Sequence, residues 1–283
     1  MRKSEIDFSK QVSVEELHRV MLHILQEIDA ICREENIRYF LIDGTLLGAV
    51  RHGGFIPWDD DADIAMPRQD FERFCEIAQE KLGDRYFLQT DKTDPRYTLF
   101  HIPAKVRDNH STFIECYGDQ YHQGIYVDIF PVDTLSVENA EKELRQKKVI
   151  HLLSVLKAPI EFRNFPSLHF FARLAIQLIG RLVPRKCIKK YIEKVKAANR
   201  SGTPSSQYTY GMETPWSCRF SQEDLFPLKT MNFESIPFFV PHHPDAILTT
   251  IYGDYMVIPP KEQQHTHAKF FCTERLFDKK VSK

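Results

Sequence analysis

The sequence predicts an α/β (α+β) chain, a mixed sheet core flanked by helices and interrupted by a helical insertion. Three observations carry this. Short β-rich segments alternate with amphipathic helical ones over residues 1–135. Residues 136–204 then read almost entirely as helix. Residues 205–283 return to short strands with one helix near 244–252, and are expected to complete the core and its cleft.

The elements follow in order. Ser13 and Glu16 form an S-x-x-E capping box, and Leu17, Val20, Ile24, Ile28 and Ile31 recur at helical spacing, so a first helix should run to about Asn36. "IRYFLIDG" (37–44) is rich in β-formers and reads as a strand closed by Gly44. "TLLGAVRHGGF" is loosened by Gly48, Gly53 and Gly54 and reads as a turn-containing connection. "DADIAM" (61–66) is the second strand; Pro67 ends it, and "RQDFERFCEIAQEKL" is a helix. "YFLQT", "HIPAKVRD", "STFIE" and "GIYVDIF" (124–130) alternate as strands do. In the insertion, "VENAEKELRQKKVIHLLSVLKA", the apolar "HFFARLAIQLIGRLV" and "KCIKKYIEKVKAAN" read as helices, and "RSGTPSSQ" reads as a linker.

Composition narrows the function. A net charge of −1 does not supply the broad basic surface that nucleic acid requires, so no nucleic-acid partner is expected. The cysteines at 32, 75, 116, 187, 218 and 272 are too scattered for a C-x-x-C zinc or redox motif and suit a reducing cytoplasm. "MRKSEIDFSKQ" has no apolar run after its basic residues, and no stretch reaches the length of a spanning helix, so a cytoplasmic protein is expected.

One stretch resists an ordinary structural reading. "FIPWDDDADIAM" (55–66) places four aspartates at the mouth of an apolar strand. Residues two apart on a strand face one side, so Asp61 and Asp63 should point together, away from Ala62 and Ile64. Two such carboxylates repel unless a cation lies between them, and Mg²⁺, with Mn²⁺ as the alternative, is bound through few carboxylates together with substrate phosphates. A third carboxylate is offered by "GIYVDIF", where Ile125, Val127 and Ile129 share one face and Asp128 stands on the other. An aspartate on an apolar strand is costly unless paired or ligated, so Asp128 should hold the metal or accept a proton. Asp133 is a weaker candidate. Upstream, the Gly44-Thr45 turn offers backbone amides and a hydroxyl to a phosphate. The competing reading of the acidic run is a solvated loop tip or a helix cap.

The block "YFLIDGTLLGAVRHGGFIPWDDDADIAMPRQDFERF" (39–74) closely resembles the LicD family, which includes bacterial phosphocholine transferases and is related to fukutin and fukutin-related protein. "DIFPVD" (128–133) and "YGDYMVIPP" (252–260) resemble signatures of the same family. The resemblance implies a nucleotidyltransferase-like fold, with Gly44-Thr45 as its turn, Asp61 and Asp63 as its D-x-D pair and Asp128 as its third acid. It also implies an activity. Phosphocholine, or a similar phospho-alcohol, would pass from CDP-choline or another CDP-alcohol to a hydroxyl of a cell-surface glycan or its lipid-linked precursor, such as teichoic acid or lipopolysaccharide, with release of CMP. Two rivals stay open: nucleotidyl transfer from a nucleoside triphosphate with release of pyrophosphate, and a catalytically inactive glycan-binding module.

Other residues carry two readings each. Arg51 and His52 either reach a phosphate or form a solvated basic loop. Lys105 and Arg107, two apart in "PAKVRD", either neutralise the diphosphate from one strand face or form an exposed face. Trp58, Trp216 and Tyr255 are choline-cage candidates or core aromatics. The histidines of "PHHPD" (241–245) and "HTH" (265–267) read as loop residues, and Asp254 as a structural one. The apolar helix of the insertion, with Arg173, Arg181, Arg185, Lys186, Lys189 and Lys190 around it, reads as a buried helix, the alternative being contact with the inner face of the plasma membrane.

Overall fold

A computed structural model describes residues 3–97, 101–117, 120–157 and 183–276. The chain divides into two compact units, one of Met1–Val132 with Phe220–Lys283 and one of Asp133–Arg219. Mixed sheet and flanking helices make it an α/β chain.

The first unit opens with α1 (Val14–Glu34), capped as its S-x-x-E motif predicts: Ser13 Oγ accepts from Glu16 N, and the Glu16 carboxylate accepts from Ser13 N. Leu17, Met21, Ile24, Leu25, Ile28 and Ile31 are buried along one stripe. Each such side chain contributes about 1.5–3 kcal/mol through burial. Asn36, at φ 53°, takes the left-handed conformation that ends the helix. Strand β1 (Phe40–Leu41) is shorter than its sequence promises, because α2 (Asp43–His52) starts immediately after it.

That second helix corrects the expected turn at 44–54. Its glycines mark close approaches rather than breaks. A Cβ on Gly48 would lie 2.4 Å from the carbonyl oxygen of Gly54, and one on Gly44 would lie 2.7 Å from Asp59 Oδ2. Gly53, at φ 71°, ends the helix.

Strand β2 (Asp63–Pro67) leads through Pro67 directly into α3 (Arg68–Leu82). Strands β3 (Tyr86–Gln89), β4 (Ala104–Asp108), β5 (Thr112–Ile114) and β6 (Tyr126–Ser136) follow. The sheet runs β1-β2-β6-β4-β3, with β2 and β6 parallel and the other pairs antiparallel. Side chains on both faces of β2, β4 and most of β6 are buried, as expected of a central sheet covered on two sides. Near the end of the chain, strand Phe270–Cys272 pairs with β5. A hairpin of Lys229–Phe233 and Ile236–Val240 turns through Glu234 and Ser235, both at positive φ, as a two-residue hairpin turn of this kind requires. The helix expected at 244–252 is Pro244–Tyr252.

In the second unit, helices Ala140–Lys157 and Arg185–Arg200 accompany strand Pro204–Tyr210. That strand corrects the linker read in "RSGTPSSQ": Tyr208, Thr209 and Tyr210 just beyond it are β-formers that extend the strand. Lys147 is fully buried and donates to the carbonyls of Tyr210 (2.7 Å) and Gly211 (2.6 Å). Asp133 accepts from Met212 N at 2.7 Å, a structural role. Most of the apolar insertion helix, Arg173 and Arg181 included, lies outside the described residues, and with it the membrane-contact reading. Among the described residues no helix is long and apolar enough to cross a membrane.

Candidate active site

The parallel pairing of β2 with β6 makes Asp63 and Asp128 Cα partners, and the antiparallel pairing of β6 with β4 makes Asp128 and Lys105 partners. One row across three strands therefore reads Lys105, Asp128, Asp63. The register is held locally. Asp128 N donates to Ala62 O (2.8 Å), Ile42 N to Asp63 O (3.2 Å), and Asp63 N to Thr45 Oγ1 (2.7 Å). The Thr45 hydroxyl expected to meet a phosphate is thus already an acceptor within the fold.

Asp61 precedes β2 instead of lying in it, so strand alternation does not set its direction. It nonetheless stands among the acids. Burial, then the charges of Asp61, Asp43, Asp128 and Asp59, push the Asp63 carboxyl well above its ordinary range. Burial and then Asp61 and Asp60 raise Asp59 to about 8. Asp128 is raised to about 7, chiefly by burial, against the opposing pull of Lys105. Asp59, Asp43 and Tyr252 were not singled out by sequence reasoning. A period of two through Asp59, Asp61 and Asp63 was the available signal for the first. Tyr252, although 45% exposed, has its hydroxyl raised by burial and by the charges of Asp43, Asp63, Asp59 and Asp61.

The acidic loop is braced from three sides. His18 Nε2 bonds the carbonyl of Asp59 (2.8 Å) and its ring stacks on Phe55 at 4.3 Å. Asp60, 2% exposed, accepts from Ala268 N (2.6 Å) and lies 3.3 Å from His267 Nδ1. His267 therefore does more than the loop role expected of it. Asp59, Asp60 and His267 offer metal-ligand atoms within 4.8 Å of one another. Glu234, in the hairpin turn, accepts from Phe55 N at 3.0 Å.

The basic candidates divide. Arg51 donates to the carbonyls of Tyr255 (2.9 Å) and Val257 (3.4 Å), fastening "YGDYMVIPP" to α2, and His52 beside it is exposed. Lys105 and Arg107 are not on an exposed strand face: both are fully buried. Lys105 Nζ lies 2.9 Å from Asp128 Oδ1, and Arg107 donates to Gly124 O at 2.8 Å and to Gln89. Of the aromatics, Trp58 packs edge-on to His52 and the Tyr255 hydroxyl donates to Asp245, while Trp216 packs on Tyr210 in the second unit.

Asp61, Asp63 and Asp128 offer oxygen alone, which fits a hard divalent cation, but the ligand atoms that converge within 4.8 Å among the described residues are those of Asp59, Asp60 and His267. Asp128 Oδ1 is buried without a hydrogen bond, its contact with Lys105 being close but off the hydrogen-bond direction. Acids that raise one another in this way accept a cation readily.

Residues 36–171 match the family described as LicD/FKTN/FKRP, nucleotidyltransferase domain. Among curated proteins, the lipopolysaccharide cholinephosphotransferase LicD of Haemophilus influenzae is 28% identical over 268 residues, 91% of this chain and 97% of that protein. An uncharacterized protein of Rickettsia typhi is 38% identical over 127 residues, 43% of this chain and 40% of its own. The human ribitol 5-phosphate transferase FKRP is 36% identical over 52 residues, 18% of this chain and 10% of its own length.

Proposed function

We propose that this chain, whose residues 36–171 are a LicD-family domain, transfers a phospho-alcohol from a CDP-activated donor to a glycan hydroxyl, CDP-choline being the leading donor. The observation that supports it best is the placement of Asp63 and Asp128 as partners on parallel strands, with Asp61 close enough to perturb both and Asp59 close enough to perturb Asp63. The similarity to the cholinephosphotransferase, which spans nearly all of both chains, favours choline; the short similarity to a ribitol 5-phosphate transferase keeps other alcohols in the test.

In this reading Asp61, Asp63 and Asp128 hold Mg²⁺ or Mn²⁺. Held there, such an ion would supply charge neutralisation for the donor diphosphate and the departing CMP. The acceptor hydroxyl attacks the phosphorus that carries the alcohol. One P–O bond forms, the P–O bond to CMP breaks, and the hydroxyl proton is lost. Where Asp128 is not a ligand, it is the proton acceptor instead. Gly44 keeps α2 close to Asp59, and Thr45 holds the first residue of β2. His52 is the exposed basic group left for phosphate, Arg51 being engaged by the Tyr255 and Val257 carbonyls, while Lys105 and Arg107 act from within.

The test is a panel of CDP-choline, CDP-ribitol and CDP-glycerol with Mg²⁺ or a chelator, read by chromatography for CMP. Metal-dependent CMP release, even by slow hydrolysis, supports the reading. Pyrophosphate released from CTP, with no CMP from any donor, replaces it with nucleotidyl transfer. No turnover of either kind, in the presence of glycan acceptor, leaves the glycan-binding module.

A further inference from the structure

Lys105 and Arg107 form a buried charge network that ends on Asp128. Lys105 Nζ lies 2.9 Å from Asp128 Oδ1, 3.5 Å from Glu115 Oε1 and 3.4 Å from the centre of the Tyr126 ring. Glu115 is shared: Arg107 reaches its other oxygen at 3.4 Å, and the Tyr126 hydroxyl donates to Oε1 at 3.1 Å. Burial alone would raise Glu115, but Lys105 and Arg107 together outweigh it and hold the carboxyl below its ordinary range. Arg107 is in turn fixed by Gln89, whose amide donates to Asp94 at 2.8 Å. The series Arg107, Glu115, Lys105, Asp128 thus contains two cations and two acids. It is charge-balanced, and it ends at the edge of the acid cluster.

Two features separate Lys105 from a phosphate ligand. Its side chain is 0% exposed, so no soluble diphosphate touches it unless the network opens. Its three neighbours already surround the ammonium with one carboxylate on each of two sides and an aromatic face. Neither Lys105 Nζ nor Asp128 Oδ1 has a hydrogen bond, so the 2.9 Å contact between them is an ion pair.

We infer that Lys105 is a positioning residue for Asp128: its ion pair with Oδ1, inside a buried charge network, holds the carboxylate at the edge of the acid cluster, and Lys105 does not grip the donor phosphates. Glu115 and Arg107 keep Lys105 in place, and β4–β6 register puts it opposite Asp128. This rests on the transfer reading above and assigns a role that reading leaves open, since a lysine near a diphosphate site would otherwise be taken to grip the phosphates.

The experiment compares Lys105→Met and Lys105→Arg with wild type, measuring CMP release against CDP-choline concentration. A positioning role predicts a kcat lowered by about 100-fold in Lys105→Met with KM within about threefold, and partial recovery of kcat in Lys105→Arg. A KM raised by about 10-fold or more at unchanged kcat makes Lys105 a phosphate ligand and overturns the inference; so does wild-type behaviour in both parameters. If Lys105→Met does not fold, Lys105→Arg decides: lowered kcat at constant KM supports the role, and raised KM or full activity overturns it. If wild type itself releases no CMP from any donor, the transfer reading has failed, and Lys105 is judged separately by a double-mutant cycle with Asp128→Asn in urea and chelator. Coupling of about 10-fold or more in the unfolding constant then supports engagement of Asp128, and additivity overturns it.

Discussion

Binding of Mg²⁺ should expel protons, and the number expelled reports which carboxylates take part. Without metal, Asp128 stands near 7 and Asp59 near 8, each raised first by burial, and Asp63 lies well above its ordinary range. At about pH 6 a carboxyl with a pKa of about 7 is roughly nine-tenths protonated, whereas a metal ligand must be bare. These titrations interact, so the protons belong to the cluster as a whole. About two protons should leave per ion at about pH 6, fewer as pH rises, and Mg²⁺ affinity should rise roughly 100-fold per pH unit at the acidic end. The sign for stability follows from the same shifts. Acids raised in the native state bind more protons there than in the unfolded chain. Their contribution is therefore complete below about pH 4 and is lost as pH rises through about 7–8. Metal-free protein should weaken across that window, and Mg²⁺ should restore it most above about pH 7. Titration calorimetry in two buffers of different ionisation enthalpy counts the protons, and urea unfolding with chelator or Mg²⁺ measures the stability. Equal affinity at about pH 6 and about pH 9, with no proton release at the lower value, would refute the carboxylate cage.

Three further outcomes are expected. Asp63→Asn should lower metal-dependent CMP release by about 100-fold or more while raising the metal-free melting temperature increasingly as pH rises, because it removes a carboxyl whose charged form the buried cluster disfavours; calorimetry and CMP chromatography check the pair. Gly44→Ala places a Cβ 2.7 Å from Asp59 Oδ2, an atom that can move. Its stability should change by less than about 1 kcal/mol in urea while Mg²⁺ affinity falls about 10-fold. Gly124→Ala meets the backbone oxygen of Asp108 at 2.0 Å, which cannot step aside. A loss of about 2–3 kcal/mol in urea unfolding is expected, with the midpoint shifted and the slope kept.

What was legible in the sequence was whatever local chemistry decides. The capping box at Ser13 and Glu16 and the helical stripe behind it define α1 with no help from the rest of the fold. Asp128 stood out as an acid on an apolar strand, and β6 indeed buries it. Errors arose where distant groups decide. Gly44 read as the end of a strand and Gly48 as part of a loosened connection, yet both lie within α2, where Asp59 and the Gly54 carbonyl approach it closely. A Gly/Ser/Pro run hid the start of strand Pro204–Tyr210. The alternation used to pair Asp61 with Asp63 assumed a strand that begins two residues too early. Lys105 and Arg107 were visible as a basic pair, but their burial and partners depend on the β4–β6 register, which no local pattern encodes.

The distribution of charge explains why the acids remain unneutralised on one side. The buried cations of the network face Asp128 and Glu115, and after burial the four largest influences on Asp63 are other acids. A lysine inserted among Asp59, Asp61 and Asp63 would relieve their repulsion permanently. It would also leave those acids no reason to take up a metal, and a fixed ammonium offers a diphosphate fewer contacts than an ion with several open coordination positions. Keeping the protein's own cation behind Asp128 fixes that carboxylate while the cluster in front stays short of positive charge. The shortage costs stability when the site is bare, and an exchangeable cation of the kind that also binds phosphate would relieve it. On this account the repulsion among the aspartates is the source of the site's affinity, which is why it should be measurable as proton release.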